Sequence, residues 1–320
     1  MRIAVVTTSY PAFDGDPSGH FVQAEVAELE RMGHEVHVVH PAPGGAFGWP
    51  GAPSRLRERP LRIFEAGAWL VRASAKVRQL RPDRVVAHWS VPSAFPIALA
   101  ADTATASVAS TGDAADAGAA GVRPELEIVS HGADVRLLVG LPRKIRRRVI
   151  RPLLRRATRW RFVSQDLRAT LERSLDEEDI AALERIAAIV PQAIEMPDVT
   201  EDARAKREAL AGRRLYVCAG RLVQSKRIDK VIDYVATSAP YRDRHERVLV
   251  ILGDGPERAN LERMARAWQL DVRFLGKTTR SEALGWIGAA DELVHASRVE
   301  GLSTVVREAT MLGVPVTILP

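Results

Sequence analysis

The sequence holds one cysteine, Cys218, in 320 residues. No disulfide can close within the chain, which excludes a disulfide-stapled scaffold and fits a reducing, cytoplasmic setting. Hydrophobic runs of membrane-spanning length are missing too. The uncharged stretch between Trp89 and Ala101 falls short of the ~20 residues a spanning helix needs, and Pro92 and Pro96 interrupt it. Residues 1–8 carry one arginine and too short an apolar run for a secretory leader, so they read as a first strand. No strand-like segment is followed by G-x-G-x-x-G, and G-x-x-x-x-G-K-S/T does not occur. Dinucleotide-dependent enzymes and P-loop ATPases are therefore set aside.

What remains is an ordinary globular composition, 46% hydrophobic and 27% charged, which excludes wholesale disorder. The length suits two domains. Short β-branched runs alternate with amphipathic stretches. They predict strands at residues 3–6, 35–39, 84–87, 127–129, 161–163 and 189–191, with helices at 21–32 and 62–80 among them. Residues 100–121 are of low complexity and read as a helix end and an exposed loop. Residues 195–212 are polar, contain Pro197 and lack a strong apolar period. They read as a linker between an N-terminal domain, 1–194, and a C-terminal domain, 213–320. The alternation then restarts, with strands at 215–219, 248–252, 272–275, 292–296 and 315–319 and helices between them. This predicts an α/β architecture of two Rossmann-like domains facing across a cleft.

The net charge of +6 is local. Ten Lys/Arg and no acid lie between Arg143 and Arg161, leaving 36 bases against 40 acids elsewhere. Ile145, Val149, Ile150, Leu153, Leu154, Ala157 and Trp160 keep a helical spacing through this stretch, and Pro152 is expected to split it into two helices. Two readings stay open: a core-packed stripe with a solvated arginine face, or attraction to an anionic membrane surface or a lipid-linked acceptor. No helix-turn-helix, RNP or zinc signature accompanies the charge, which speaks against nucleic acid. His34, His37 and His40 straddle a helix end and a strand, and Asp14-Gly15-Asp16 reads as a turn, so neither predicts a metal site.

Residues 300–308 carry the most chemistry. Glu300 follows a strand; Gly301, Leu302, Ser303, Thr304 and Val305 open a helix; Glu308 lies further along it. Free amides at a helix N-terminus make an anion site. Two flanking carboxylates would hold hydroxyls, the combination a sugar nucleotide requires; an N-terminal acid with an exposed helix glutamate is the plainer alternative. Arg221 and Lys226 follow the first strand of the second domain, where they would neutralise a diphosphate or stand as solvated surface charge.

An ordered series joins these residues: Gly220-Arg221-Leu222 through Lys226, Gly253-Asp254-Gly255-Pro256, Phe274-Leu275-Gly276, Ala290-Asp291, and Glu300-Gly301-Leu302 through Glu308-Ala309 to Gly313-Val314-Pro315-Val316. In it the second half resembles the retaining, nucleotide-sugar-dependent glycosyltransferases of family 4, within glycosyl transferases group 1, which have the GT-B fold. Gly19, Gly33-His34-Glu35-Val36, Ala87-His88-Trp89, Ser130-His131-Gly132-Ala133-Asp134 and Phe162-Val163-Ser164 extend the resemblance over nearly the whole chain.

The resemblance implies transfer of a sugar from a nucleoside diphosphate sugar to an acceptor hydroxyl with retained configuration, without metal or other cofactor. By the same resemblance Glu300 and His131 hold the sugar, Glu308 the ribose, and Arg221 and Lys226 the diphosphate. Gly19, Gly220, Gly253, Gly276, Lys277, Gly301, Leu302, Ser303, Thr304 and Val305 complete the donor site, with Gly276 and Lys277 toward the base. The expected setting is glycolipid or cell-surface polysaccharide synthesis at the inner membrane face. Two departures stand out. Gln192-Ala193 replaces the family's usual Asn-Gly, and relatives continue past Pro320, implying a second domain truncated at its C-terminus. The second departure keeps an inactive sugar-nucleotide-binding protein open as an alternative. A GT-B-fold sugar-nucleotide epimerase is disfavoured, since its acidic and histidine set is not recognisable.

Overall fold

The structure, a computed structural model, describes residues 1–320 except Asp14, Pro17, Trp49, Pro50, Ala193 and residues 101–122, 239–244 and 298–302. All of the low-complexity segment but Ala100 thus lies outside the described residues. The chain divides into two compact units, one of Met1–Tyr10 with Gly19–Ala193, the other of Pro11–Ser18 with Ile194–Pro320.

The first unit is built on six parallel strands, β1 (Arg2–Val6), β2 (Glu35–Val39), β3 (Arg84–His88), β4 (Glu125–Ser130), β5 (Arg159–Phe162) and β6 (Ala187–Ile189), in the order β2-β1-β3-β4-β5-β6. Ile3, Ala4, Val5 and Val6 of β1 are fully buried, the continuous apolar run demanded of a strand covered on both faces. Helix α1 (His20–Arg31) packs Val22, Val26 and Leu29 on Ile3, Val5 and Val86. It starts at Gly19, where φ is +70° and a Cβ would lie 2.3 Å from the Ser9 carbonyl oxygen, so only glycine fits.

Helices α2 (Ala52–Glu58), α3 (Arg62–Leu80), α4 (Ala133–Gly140), α5 (Arg143–Arg156), α6 (Gln165–Glu172) and α7 (Glu177–Glu184) also belong to this unit. Contrary to expectation, Pro152 does not split the basic stretch. Helix α5 runs through it, because burial of Ile150, Leu153 and Leu154 on either side outweighs the one backbone donor a proline forfeits. The helical stripe ends at Arg156, and Trp160 lies in β5 instead. Much of the basic face is paired: Arg143 and Arg147 with Asp176, Arg151 with Glu178 at 2.8 Å and Asp179 at 3.2 Å.

The second unit has five parallel strands, β7 (Arg214–Ala219), β8 (Arg247–Leu252), β9 (Asp271–Gly276), β10 (Glu292–His295) and β11 (Val316–Ile318), in the order β11-β10-β7-β8-β9. Its helices are α8 (Thr200–Glu208), α9 (Ile228–Thr237), α10 (Arg258–Trp268), α11 (Arg280–Ala289) and α12 (Thr304–Met311). Strand periodicity of two splits the core. Leu215, Val217, Val248 and Val250 join α11 and α12 on one face; Tyr216, Cys218, Leu249 and Ile251 join α9 and α10 on the other.

Residues 195–212 are not a linker. They form α8 and its flanks, with Val199 and Leu210 buried and Met196 and Ala203 packed on the same core. Four apolar contacts spread through so polar a segment leave little visible period, although they suffice to dock it.

Candidate active site

In the second sheet the chain steps outward from β7 to β8 to β9, then returns to the other side of β7 for β10. The crossovers from β7 to β8 and from β10 to β11 therefore run to opposite sides, the switch in strand order at whose crevice open α/β sheets bind ligands. Three of the expected glycines meet at the adjoining strand ends. The Gly220 N–H donates to the Leu252 carbonyl at 2.8 Å, and the Gly253 N–H to the Gly276 carbonyl at 2.7 Å. Gly253 has φ +129°, and a Cβ there would sit 2.0 Å from the Gly220 carbonyl oxygen. Three neighbouring strands therefore end in bare backbone. Leu222 locks the loop after β7 to the next one: its N–H donates to Asp254 O at 2.9 Å, and its carbonyl accepts from Glu257 N at 3.0 Å.

Lys226 closes a short turn, Gln224–Lys226, and its stem lies along Gly220, within 3.8 Å of where a Cβ would stand. Its charge is felt by His295, buried at the end of β10. That imidazole is pushed down to about 4, first by burial and then by Lys226. Arg221 is half-buried in the same loop, and Lys277 is exposed next to Gly276. Cys218 is no nucleophile, since burial pushes its thiol up to about 12.

Ser303 stands at the N-terminal boundary of α12 without a side-chain capping hydrogen bond, and Thr304 and Val305 are in its first turn. Glu300, Gly301 and Leu302 lie outside the described residues. Glu308 is only 5% exposed, and its Oε1 accepts from Arg280 Nε at 3.2 Å and Nη2 at 3.0 Å. Arg280 also donates to the Glu195 carbonyl at 2.5 Å, and its backbone N–H reaches the Gly15 carbonyl at 3.0 Å. The carboxylate expected to meet a ribose is thus held by a cation, a pairing that sequence reasoning missed.

Gly19 and His131 belong to the first unit. His131 stacks on His88 with ring centroids 5.2 Å apart, and its Nε2 lies 2.9 Å from His88 Nδ1. Its Nδ1 meets the Gln192 side-chain amide, and Phe21 and Trp89 close around the ring at 4.8 and 4.9 Å. Burial pushes both imidazoles down to about 3, helped by Arg161 for His88 and by His88 for His131. Both are neutral at neutral pH. The Glu25 carboxylate, 3.6 Å from His88 Nε2, favours the proton at that nitrogen. His88 Nδ1 then accepts from His131 Nε2–H, and His131 Nδ1 accepts from the Gln192 amide.

The turn carrying His131 is fixed by Asp134, which is 1% exposed. Its two oxygens accept from the backbone N–H groups of Ser90, His131 and Gly132 and from the hydroxyls of Ser90 and Ser130. Beneath lies a buried charge network in which Glu127 pairs with Arg84 and Arg161, and Arg161 also with Glu25. Glu127 among apolar neighbours in β4, and Arg161 between Trp160 and Phe162, were the available signals for it.

The described residues of the two histidine and aspartate motifs are engaged locally. His37 pairs with Glu35 and His40 stacks on Tyr10 at 5.4 Å, while Asp16 accepts from the backbone of Ala12 and Ser18 as a turn residue. Asp14 lies outside the described residues. Among the described residues no group of three His, Cys, Asp or Glu could hold a metal ion.

Comparison with known proteins bears on both units. The Anabaena protein HepE, solved with UDP-glucose, superposes with a TM-score of 0.65 at 16% identity, covering 99% of this chain and 80% of its own. The two parallel-sheet α/β domains are therefore a GT-B fold. Residues 199–319 match the family Glycosyl transferases group 1. TuaC of Bacillus subtilis (strain 168), whose name assigns it as a glycosyltransferase of teichuronic acid biosynthesis, is 23% identical over 99% of this chain and 80% of its own length. The GDP-mannose-dependent monoacylated alpha-(1-6)-phosphatidylinositol monomannoside mannosyltransferase of Corynebacterium glutamicum is 32% identical over 130 residues, 38% of this chain and 34% of its own. The chain is thus similar to glycosyltransferases, and its C-terminal part to those of group 1.

Proposed function

We propose that the protein is a retaining, metal-independent glycosyltransferase of family 4 that moves a sugar from a nucleoside diphosphate sugar to an acceptor hydroxyl. The observation that carries this reading is the crevice of the second unit. Bare backbone at Gly220, Gly253 and Gly276, Lys226 beside it and the opening turn of α12 all lie at one sheet edge, in the segment that matches the family. HepE holds UDP-glucose on the same fold, and the Corynebacterium enzyme is named for GDP-mannose, which supports a nucleotide sugar as donor. One of these relatives is named for teichuronic acid biosynthesis and the other for a phosphatidylinositol monomannoside, and an acceptor in glycolipid or cell-surface polysaccharide synthesis is part of the reading.

Breaking the sugar–phosphate bond develops negative charge on the leaving diphosphate. Arg221, Lys226 and the amides of residues 302–305 are the groups assigned to stabilise it. The departing phosphate takes the acceptor proton on the same face, so the reading calls for no protein base. Glu300 is assigned to the sugar and Glu308, oriented by Arg280, to the ribose.

The test is thermal stabilisation by UDP-, GDP- and ADP-sugars. A ligand at a hundred times its Kd adds about 2.7 kcal/mol to the native state, a shift of a few degrees. One nucleotide is expected to raise the Tm, and Lys226→Ala to abolish the rise. Glu308→Gln, which keeps the side-chain volume beside Arg280, is expected to raise the donor KM with little change in kcat. No shift with any donor, or an undiminished shift in Lys226→Ala, would overturn the assignment. A shift without turnover would point to a binding protein.

A further inference from the structure

A line of polar side chains runs through the first sheet to His131, and the proposed reaction uses only His131 of it. It starts in the core, where Glu127 of β4 pairs with Arg84 of β3 and with Arg161 of β5. Arg161 pairs with Glu25 of α1, and the second oxygen of Glu25 lies 3.6 Å from His88 Nε2 at the end of β3. His88 Nδ1 meets His131 Nε2 at 2.9 Å, and His131 Nδ1 meets the side-chain amide of Gln192. Two guanidinium groups balance two carboxylates, and the imidazoles complete the line as neutral rings. A further proton would leave a net charge in the interior. What the line controls is which nitrogen of each ring bears the hydrogen.

Glu25 sets that choice. A carboxylate beside His88 Nε2 favours the hydrogen there, His88 Nδ1 becomes an acceptor, and His131 must carry its own hydrogen on Nε2 to meet it. His131 Nδ1 is left with its lone pair. Turning the ring over would break the contacts of both nitrogens, and Phe21 and Trp89 close around it at 4.8 and 4.9 Å. Trp89 keeps φ at +70° in doing so, backbone strain of the kind that persists at functional sites. A lone pair accepts a hydroxyl hydrogen and repels a carbonyl or phosphate oxygen, so this nitrogen suits the hydroxyl of a sugar. It accepts one such bond at a time, and Gln192 occupies it. We propose that His88 and Glu25 are positioning residues that fix His131 with a bare Nδ1 for a hydroxyl of the donor sugar, and that Gln192 holds this nitrogen until the sugar displaces it. The proposal rests on the assignment of His131 to the sugar.

Nitrogen NMR of the full chain with isotope-labelled histidine reads the tautomer without any substrate. The unaltered protein is expected to show His131, identified by its loss in His131→Asn, with hydrogen on Nε2 and none on Nδ1 at neutral pH. Glu25→Gln keeps the side-chain volume but removes the charge, and is expected to admit the second tautomer. The sugar's contribution is read as the ratio of the Kd of UDP to that of UDP-glucose, and of GDP to GDP-mannose. His88→Leu is expected to lower this ratio about fivefold, the worth of one hydrogen bond, and to leave the Kd of the sugar-free nucleotide alone. His88→Asn, whose Oδ1 can stand where Nδ1 stood, should recover most of that loss. Gln192→Ala should raise the ratio, because no contact has to be given up. Should His88→Leu unfold, Glu25→Gln carries the same comparison, with its fold checked by thermal melting. A hydrogen on His131 Nδ1 in the unaltered protein would overturn the proposal, as would a ratio that Glu25→Gln and His88→Leu leave unchanged, or one that falls in Gln192→Ala. Absence of binding by both nucleotides would instead strike the donor assignment and the sugar half of the proposal, while the tautomer would still decide the positioning half.

Discussion

His88 and His131 are held neutral by burial, and that links the stability of the first unit to pH. In the unfolded chain each imidazole takes a proton near pH 6.5, whereas in the folded protein each resists down to about pH 3. Between those values the unfolded state binds more protons, so acid favours unfolding. The stabilisation is complete above ~6.5 and drains as pH falls toward 3, by up to about 1.4 kcal/mol per pH unit for each histidine. The urea midpoint should therefore drop steeply from pH 6.5 to 4. His88→Gln should flatten that slope, with His131→Asn, nearer the surface, as a second variant. Identical slopes in all three proteins would show that neither imidazole is buried neutral. Of this cluster, His131 was legible in the sequence through Ser130-His131-Gly132-Ala133-Asp134. His88 and Gln192 were marked in the same way, but their contact with His131 was not legible, because they lie 43 and 61 residues away and no local period joins them.

Elements were legible to the degree that their own residues reported burial. A central parallel strand must be apolar throughout, so residues 3–6, 215–219 and 248–252 announced β1, β7 and β8 without help from neighbours. Helix α8 was hidden because only a few widely spaced contacts dock it, and α5 was misread at Pro152 because tertiary burial overrode a local rule. The strand ends of the second unit offer a test at this scale. Gly253 combines φ +129° with a Cβ position 2.0 Å from the Gly220 carbonyl oxygen, and that atom is backbone, which cannot swing aside. Gly253→Ala must part the β7 and β8 loops or unfold the region, at a cost of about 2–4 kcal/mol. If the variant is folded, donor-induced stabilisation should vanish while the first unit melts as before. A variant with full stability and an intact donor shift would mean that the close approach is not needed at the site.

Each unit of the molecule buries its own core, Ile3, Val5 and Val86 in the first and the two faces of β7 and β8 in the second. Sequence order and compact units nevertheless part company at one place. Residues 11–18 leave β1 but group with the second unit, where the Gly15 carbonyl accepts from the backbone of Arg280. Arg280 in turn grips Glu308, so this loop is mechanically tied to the first helix turns expected to bind the nucleotide. Amide hydrogen exchange follows from that connection. A nucleoside diphosphate without its sugar, if bound at the second unit, should slow exchange in residues 220–227, 253–257 and 303–308. It should also slow residues 11–18, which share the Arg280 tether, while the strands of the first sheet keep their rates. Slowing confined to the first unit would move the nucleotide site away from the β7–β10 crevice. Protection at 220–227 and 303–308 that left residues 11–18 untouched would show that Arg280 does not transmit binding.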